Sequence, residues 1–358
     1  MKIRIAMIDS DKVYANRFFE CMNNNFSDKV EIHIFSNEES FKNNEKNKEY
    51  EVLLLQEHML ENLEDINKDV VFINLVDTLS KKEAGQNQIY KYQKISLIYK
   101  EILNYYSEKY TIIKTNLTNN IATRVITFMS CDSSSGTSTL ASSFSIKLSK
   151  NFKVLYLDLQ SFPTVKCFFE AEGKFNLSDI IYAIKSNNVD ISTRIESTVK
   201  RDKSDVYFIS SCKNSLERNE VTKENIEILI NNVLKYINYD YIVIDIDYQI
   251  NPTCNYLLDI SDNIIFSKIP TEQCNTKFSS IVNSINLIQN INDKNYMSKC
   301  CIIYNKINDK NTFKDEMANA KDMKELTILG YLEEYKNISS KKLAELLSNN
   351  PIFDSLCK

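Results

Sequence analysis

The sequence predicts an α/β protein built from two open-sheet domains, a flavodoxin-like unit over residues 1–108 and a larger doubly wound unit over residues 123–358. Three observations carry this. Short, continuous apolar runs alternate with segments of helical periodicity, the pattern of strands covered by helices on both faces. The alternation is interrupted once, at the Thr- and Asn-rich stretch YTIIKTNLTNNIAT, which reads as a linker at 109–122. A strand then runs into a Ser-rich turn that opens a helix, the layout of an anion cradle at the carboxyl edge of a sheet. At 358 residues the chain is long enough for two separate cores.

In the first series the strands are KIRIAMI, VEIHIF, EVLLL, DVVFINL and a short IY. An apolar-periodic segment through Phe18, Phe19 and Met22 follows the first strand, and Ile95, Ile98, Ile102 and Tyr106 give a final helix one apolar face. Five strands in about 110 residues is the size of a flavodoxin-like unit. The second series reads RVITFM, KVLYLDL, DVYFIS, YDYIVIDI, NIIFSKI, CCIIYN and TILGYL. Between these lie helical segments at 142–148, 177–184 and 226–237.

Composition narrows the function class. A net charge of −4 gives no overall basic field for DNA. No apolar run reaches the roughly 18 to 20 residues of a membrane span. The opening MKIRIAMIDSDKVY reads as a strand followed by acids, not as a signal peptide, and a cytoplasmic protein is expected. Nine cysteines without a CxxC pair, and only two histidines, point to buried thiols instead of disulfides or a zinc site. The tail ELLSNNPIFDSLCK is short, interrupted by Pro351 and poor in Lys and Arg, so no membrane-binding helix is expected there.

The first strand ends in Asp9, Ser10 and Asp11, the third in Leu55 and Gln56, and Lys91 follows the fifth. This arrangement resembles the receiver domains of response regulators. There, acids after the first strand hold Mg²⁺, an aspartate ending the third is phosphorylated, and a lysine after the fifth contacts the phosphoryl group. Gln56 stands in the acceptor's place, and an amide has no ionised oxygen with which to form an acyl phosphate. Glu57 would face the other side of the strand. Asp9, Asp11, Gln56 and Lys91 thus form a vestigial pocket in a docking or dimerising module. The alternative for Asp9 and Asp11 is helix capping.

The turn of the second domain reads Ser130-Cys131-Asp132-Ser133-Ser134-Ser135-Gly136-Thr137-Ser138-Thr139. P-loops end in Gly-Lys-Ser/Thr; here Gly136 and Ser138 fit and Thr137 replaces the lysine. Downstream, one strand ends at Asp158, the strand YIVIDID contains Asp245, and CCIIYN ends at Asn305. The order and spacing of these strands resemble the MinD/ParA superfamily of P-loop ATPases over most of residues 123–335. The domain order, with LYLDLQSFPTV, FNLSDIIYAIK and NYDYIVIDID, resembles the TadZ/CpaE branch, in which a receiver-like domain precedes a MinD-like ATPase.

The resemblance implies a homodimer recruited to Tad (Flp) pilus or secretion machinery, at the cell pole or the inner face of the membrane. It also implies ATP cradled by residues 133–139 and read at the adenine by Asn305. Ser138 and Asp245 (the Walker B acid) would hold Mg²⁺, and Asp158 would place the attacking water. The residues themselves leave other roles open: Asp158 and Asp245 as polar strand ends, Asn305 as a turn cap, and Ser133, Ser134 and Ser135 as a flexible turn.

Both family lysines are missing, one replaced by Asp132 and one by Thr137. Two unit charges ~4 Å apart interact by about 4 kcal/mol at an effective dielectric of 20, and Asp132 has the repulsive sign. A helix N-terminus returns ~0.3 to 2 kcal/mol, against the roughly 8 kcal/mol of a micromolar site. Lys147 and Lys150 lie too far along the helix to reach back. The expectation is a degenerate ATPase that binds ATP and Mg²⁺ with low affinity and hydrolyses slowly or not at all. The alternative is an active ATPase with an atypical loop and a nucleotide-dependent dimer, which needs a cation from elsewhere.

Overall fold

The computed structural model describes residues 2–44, 49–56, 70–78, 87–109, 123–186, 190–308, 312–314, 316 and 326–357. Glu57 and almost all of the expected linker lie outside them. The chain divides into two compact units, 1–114 with 183–197, and 115–182 with 198–358. The stretch 183–197 therefore groups with the first unit, although the sequence places it inside the second domain.

The first unit contains β1 (Ile3–Ile8), α1 (Lys12–Phe26), β2 (Val30–Phe35), α2 (Glu38–Lys42), β3 (Val52–Gln56), β4 (Val71–Val76), β5 (Gln88–Tyr90) and α3 (Ile95–Lys109). Its sheet is parallel with order β2-β1-β3-β4-β5, as expected of a flavodoxin-like unit. Alternation along the strands supplies two cores at once. Ile5, Met7, Val52, Leu54 and Ile73 pack with Phe18, Met22, Ile98, Ile102 and Tyr106 of α1 and α3. Ala6, Ile8, Leu53 and Leu55 face the other way, against Phe35, Phe41 and Tyr50. Burial on both faces is why these strands read as unbroken apolar runs.

The second series begins with β6 (Arg124–Ser130), α4 (Thr137–Ser149), β7 (Val154–Asp158), α5 (Leu177–Ser186), α6 (Ile191–Thr198), β8 (Lys200–Arg201), β9 (Tyr207–Phe208) and α7 (Ser215–Asn219). It continues with α8 (Lys223–Tyr236), β10 (Tyr241–Asp247), α9 (Pro252–Ile260), β11 (Asn263–Lys268), α10 (Glu272–Asn292), β12 (Cys300–Ile307), β13 (Thr327–Glu333) and α11 (Ser340–Leu347). The eight strands run β13-β12-β11-β6-β10-β7-β9-β8, all parallel except the β8–β9 pair. Two-residue β8 is an edge strand with no apolar run, so the sequence holds no signal for it.

β6 sits between β11 and β10, so α4 leaves the middle of the sheet. Its small residues let it be enclosed: Leu140, Ala141 and Phe144 enter the core with Phe128, Tyr156, Val243 and Phe353. Ser143 and Ser145 are buried but satisfied, donating to Thr139 O and Ala141 O at 2.6 and 2.9 Å. Lys147 and Lys150 turn toward the C-terminal segment, to Asp354 and Asn349. Six of the nine cysteines are buried, while Cys21 and Cys167 are exposed. Among the described residues no helix is long and apolar enough to cross a membrane.

Candidate functional site

The first unit brings Asp9, Gln56 and Lys91 to the carboxyl edge of its sheet. Lys91 Nζ lies 2.9 Å from Asp9 Oδ2 and 3.4 Å from Asp77 Oδ1, with the Lys91 and Asp9 side chains almost fully buried. Burial works against the Lys91 ammonium, but the hydrogen bond and charge of Asp9, then Asp77, outweigh it and raise its pKa. Gln56 Oε1 accepts from Ser10 N and Ser10 Oγ at 3.1 and 2.7 Å, which ties β3 to the loop after β1. Asp11 is the N-cap of α1, accepting from Val13 N and Tyr14 N. The acid charge that would attract a cation is thus spent on Lys91 and a helix cap. Asp77, at the end of β4, completes the cluster; it had no motif to mark it in the sequence.

The second unit builds its candidate site at the β6–α4 turn. Gly136 adopts a left-handed φ of 87° as the N-cap of α4, with no side-chain cap. A Cβ there would lie 2.2 Å from Asn305 Nδ2, so only glycine fits. The carbonyls of the loop are held from one side: Ser135 O accepts from Asn305 Nδ2 at 2.8 Å and Ser267 Oγ at 2.6 Å, and Ser134 O accepts from Lys306 Nζ at 2.7 Å. Because C=O and N–H of a trans peptide point in opposite directions, the Gly136 amide faces away from Asn305. The amides of Gly136, Thr137 and Ser138 have no acceptor among the described residues. They form the open end of the α4 dipole.

Thr137 does not face this opening, because its Oγ1 pairs with Ser135 Oγ at 3.0 Å in a buried contact. Ser138 Oγ donates to Gln160 Oε1 at 3.2 Å. Asp132 accepts from Ser133 N and pairs with Lys277 Nζ at 2.6 Å. The Lys277 hydrogen bond is the main reason its carboxyl stays below the usual range. Its negative charge, which stood uncompensated in the sequence account, therefore has a partner from α10.

Two carboxylates lie side by side beneath the loop, since Asp158 and Asp245 are register partners across β7 and β10. Asp158 accepts from Gln160 N, Thr164 N and Val165 N at 3.1, 2.6 and 2.8 Å. Burial nevertheless pushes its carboxyl up to about 6. Asp245 is fully buried; Tyr156 OH donates to its Oδ2 at 2.9 Å, and its Oδ1 has no partner among the described residues. Burial first, then the Asp158 charge, drive its pKa well above the ordinary value, while nearby Ser138 and Tyr156 pull it down. An orphaned buried oxygen beside Ser138 suits a cation, so the donor set fits Mg²⁺ on the Ser138 side of the loop.

Asp247 continues the same edge, accepting from Ser130 Oγ at 3.0 Å and Ser161 N at 3.3 Å. Arg218 donates to Leu159 O next to it, and a groove of about 610 Å³ opens there between Phe162, Leu216 and Asp247. Lys277, Lys306, Gln160, Tyr156 and Arg218 all escaped the motif reading. Only Lys306 carried a signal, as the neighbour of Asn305. Tyr156 and Gln160 flank Asp158 within LYLDLQ but belong to no motif, while Arg218 and Lys277 come from segments distant in sequence.

Residues 1–107 match the TadZ-like receiver-domain family. The chain is also similar to a ParA family ATPase from Chlorobium tepidum TLS, at 21% identity and a TM-score of 0.53, covering 64% of this chain and 94% of that one. A MinC:MinD cell division protein complex from Aquifex aeolicus matches at 16% identity and a TM-score of 0.50, covering 66% and 96%. No curated protein matches the sequence. A match of that length requires the larger second unit. The chain thus joins a TadZ-like receiver domain to a domain with the fold of the ParA and MinD P-loop ATPases.

Proposed function

We propose that this protein is a scaffold or localisation factor for Tad (Flp) pilus assembly, acting as a dimer. In this reading its second domain keeps the shape of a nucleotide switch and has lost most of its chemistry. The observation that carries the reading is the position of Thr137. The residue that should send an ammonium toward the phosphates is instead a hydroxyl turned into the loop and bonded to Ser135. Stabilising charge on the transferring phosphoryl group is most of the catalysis in this class. Three amides and a helix dipole leave binding weak and turnover negligible.

The geometry supports the following roles within the site. Gly136, Thr137 and Ser138 would offer amides to phosphate oxygens, with Ser133, Ser134, Ser135 and Thr139 shaping the loop around them. Ser138 and Asp245 would hold Mg²⁺, which supplies positive charge to those oxygens. Asp158, locked by three backbone donors, orders the segment after β7 and has little freedom to move a water. Asn305 fastens the loop to β12 through Ser135 O. In the first domain the Asp9–Lys91 pair, with Gln56 at the acceptor position, fits a docking module that does not turn over phosphate.

Isothermal titration with Mg·ATP to millimolar concentration tests the nucleotide half of the reading. Wild type is expected to show no micromolar site, and an Asp132→Lys/Thr137→Lys variant to bind more tightly. Micromolar binding with turnover by wild type would move the active-ATPase reading ahead. In the producing bacterium, deletion of the gene is expected to abolish Flp pili, and a Ser138→Ala chain to restore them. Failure of that rescue would show that the metal-ligand position is needed.

A further inference from the structure

Ser138 and Asp245 are each braced by a side chain from one short stretch, LYLDLQ at 155–160. Gln160 Oε1 accepts from Ser138 Oγ at 3.2 Å, and Tyr156 OH donates to Asp245 Oδ2 at 2.9 Å. Tyr156 is fully buried and Gln160 is 9% exposed, so both contacts lie inside the fold.

Each contact decides which atom is left for a cation. A serine hydroxyl has one proton and two lone pairs. Ser138 gives its proton to Gln160, so its lone pairs stay available. Tyr156 takes Asp245 Oδ2, and Oδ1 is the oxygen without a partner among the described residues. Ser138 is close enough to act on the Asp245 carboxyl, so the two available acceptors are neighbours. A network that served packing alone would satisfy Oδ1 as well.

Both braces are themselves held. Asp158 accepts from Gln160 N at 3.1 Å and from Thr164 N and Val165 N at 2.6 and 2.8 Å, which folds 160–165 into a turn. Thr164 Oγ1 donates to the same Gln160 Oε1 at 3.1 Å, so the amide oxygen faces Ser138 from a fixed position. Tyr156 meets Phe169 edge-on, with ring centroids 5.1 Å apart, and packs in the core with Leu140, Phe144 and Val243. A ligand atom is oriented only as firmly as the group behind it.

We infer that Tyr156 and Gln160 are the positioning residues of the metal site. Tyr156 turns Asp245 so that Oδ1 is presented, and Gln160 draws the Ser138 proton aside so that Oγ offers a lone pair. This rests on the reading of Ser138 and Asp245 as Mg²⁺ ligands and deepens it by assigning what orients them. Asp158 acts one step further out, through the turn that carries Gln160. Control of the cation thus lies with the end of β7 and the turn after it.

The test is Mn²⁺ titration of the full-length protein without nucleotide, with the free ion read by electron paramagnetic resonance. Ser138→Ala defines the site, and only the binding it removes is counted. Gln160→Met keeps the side-chain length and removes the acceptor, whereas Gln160→Glu keeps an acceptor. Tyr156→Phe keeps the ring and removes the donor. Losing the partner behind a metal ligand costs roughly ten- to hundredfold in metal affinity. Gln160→Met and Tyr156→Phe should each weaken the Ser138-dependent site by about that factor, and Gln160→Glu should retain it. Thr164→Val, which releases the Gln160 amide without replacing it, should also weaken the site and covers a Gln160→Met chain that fails to fold. Thermal midpoints without metal are measured alongside. A merely structural role would lower the midpoint and leave the Mn²⁺ affinity unchanged.

If Gln160→Met and Tyr156→Phe hold Mn²⁺ as wild type does while Ser138→Ala loses it, the inference fails and the metal ligands stand. If Gln160→Glu loses the ion as Gln160→Met does, the acceptor role of Gln160 is wrong. If wild type shows no Ser138-dependent site at millimolar Mn²⁺, the metal reading fails and takes the inference with it.

Discussion

Replacing Gly136 by alanine adds one methyl group at the point where the loop meets β12. Two costs follow from the geometry. A φ of 87° places a Cβ residue in the left-handed region, worth ~1 to 2 kcal/mol. The new Cβ would also lie 2.2 Å from Asn305 Nδ2, so the amide must leave Ser135 O. A buried acceptor that loses a donor costs ~1 to 3 kcal/mol, and the low end applies because Ser267 Oγ still donates to that carbonyl. The sum is about 2 to 3 kcal/mol. With no tryptophan in the chain, urea unfolding is best followed by far-ultraviolet circular dichroism and tyrosine fluorescence. At a slope of about 2 kcal/mol/M the midpoint of the second domain should fall by roughly 1 to 1.5 M. The two costs separate in an Asn305→Ala background, where Gly136→Ala should lose only the backbone part, leaving a coupling of about 1 kcal/mol or more. A loss below ~0.5 kcal/mol, or the same loss in both backgrounds, would refute the reasoning.

Other expectations follow from the buried charges. Asp158 and Asp245 both have folded pKa values raised by burial, about 6 for Asp158. Carboxyls of that kind stabilise the fold below their unfolded pKa and lose that contribution as pH climbs through the folded value. Asp245→Asn should therefore stabilise the nucleotide-free second domain at pH 7.5 by ~1 to 3 kcal/mol, and by less at pH 5. Equal or lower stability in denaturant titrations at both pH values would contradict this. In the first domain, Lys91→Met strands the buried Asp9 carboxylate, and breaking a buried pair costs roughly 3 to 5 kcal/mol. The Asp9→Asn/Lys91→Met double variant should recover most of it, as thermal unfolding would show. Incubation with acetyl phosphate and Mg²⁺ should leave wild type unphosphorylated by mass spectrometry, because Gln56 lacks the nucleophilic oxygen; a phosphorylated first domain would overturn the docking-module reading.

What the sequence by itself determined was local and repetitive. Strands buried on both faces must be continuously apolar, so VLLL, VFIN, VITFM and IVIDID announced parallel sheets. Gly136 after a strand and before a helix marked the turn, since a left-handed residue at that junction favours glycine. Edge strand β8 stayed silent because two residues carry no periodicity. The tertiary structure alone decided the charge at the loop. Lys277 and Lys306 lie 145 and 172 residues from their partners Asp132 and Ser134, and no spacing rule links ammonium and loop across such separations. It also decided which acids act as pairs. Asp158 and Asp245 become neighbours through β7–β10 register, while Asp11 is taken by the first turn of α1. Patterning reports whether a residue faces a core, because burial repeats along the chain. Electrostatics depends on distances between elements, and those exist only after the sheet has brought its strands together.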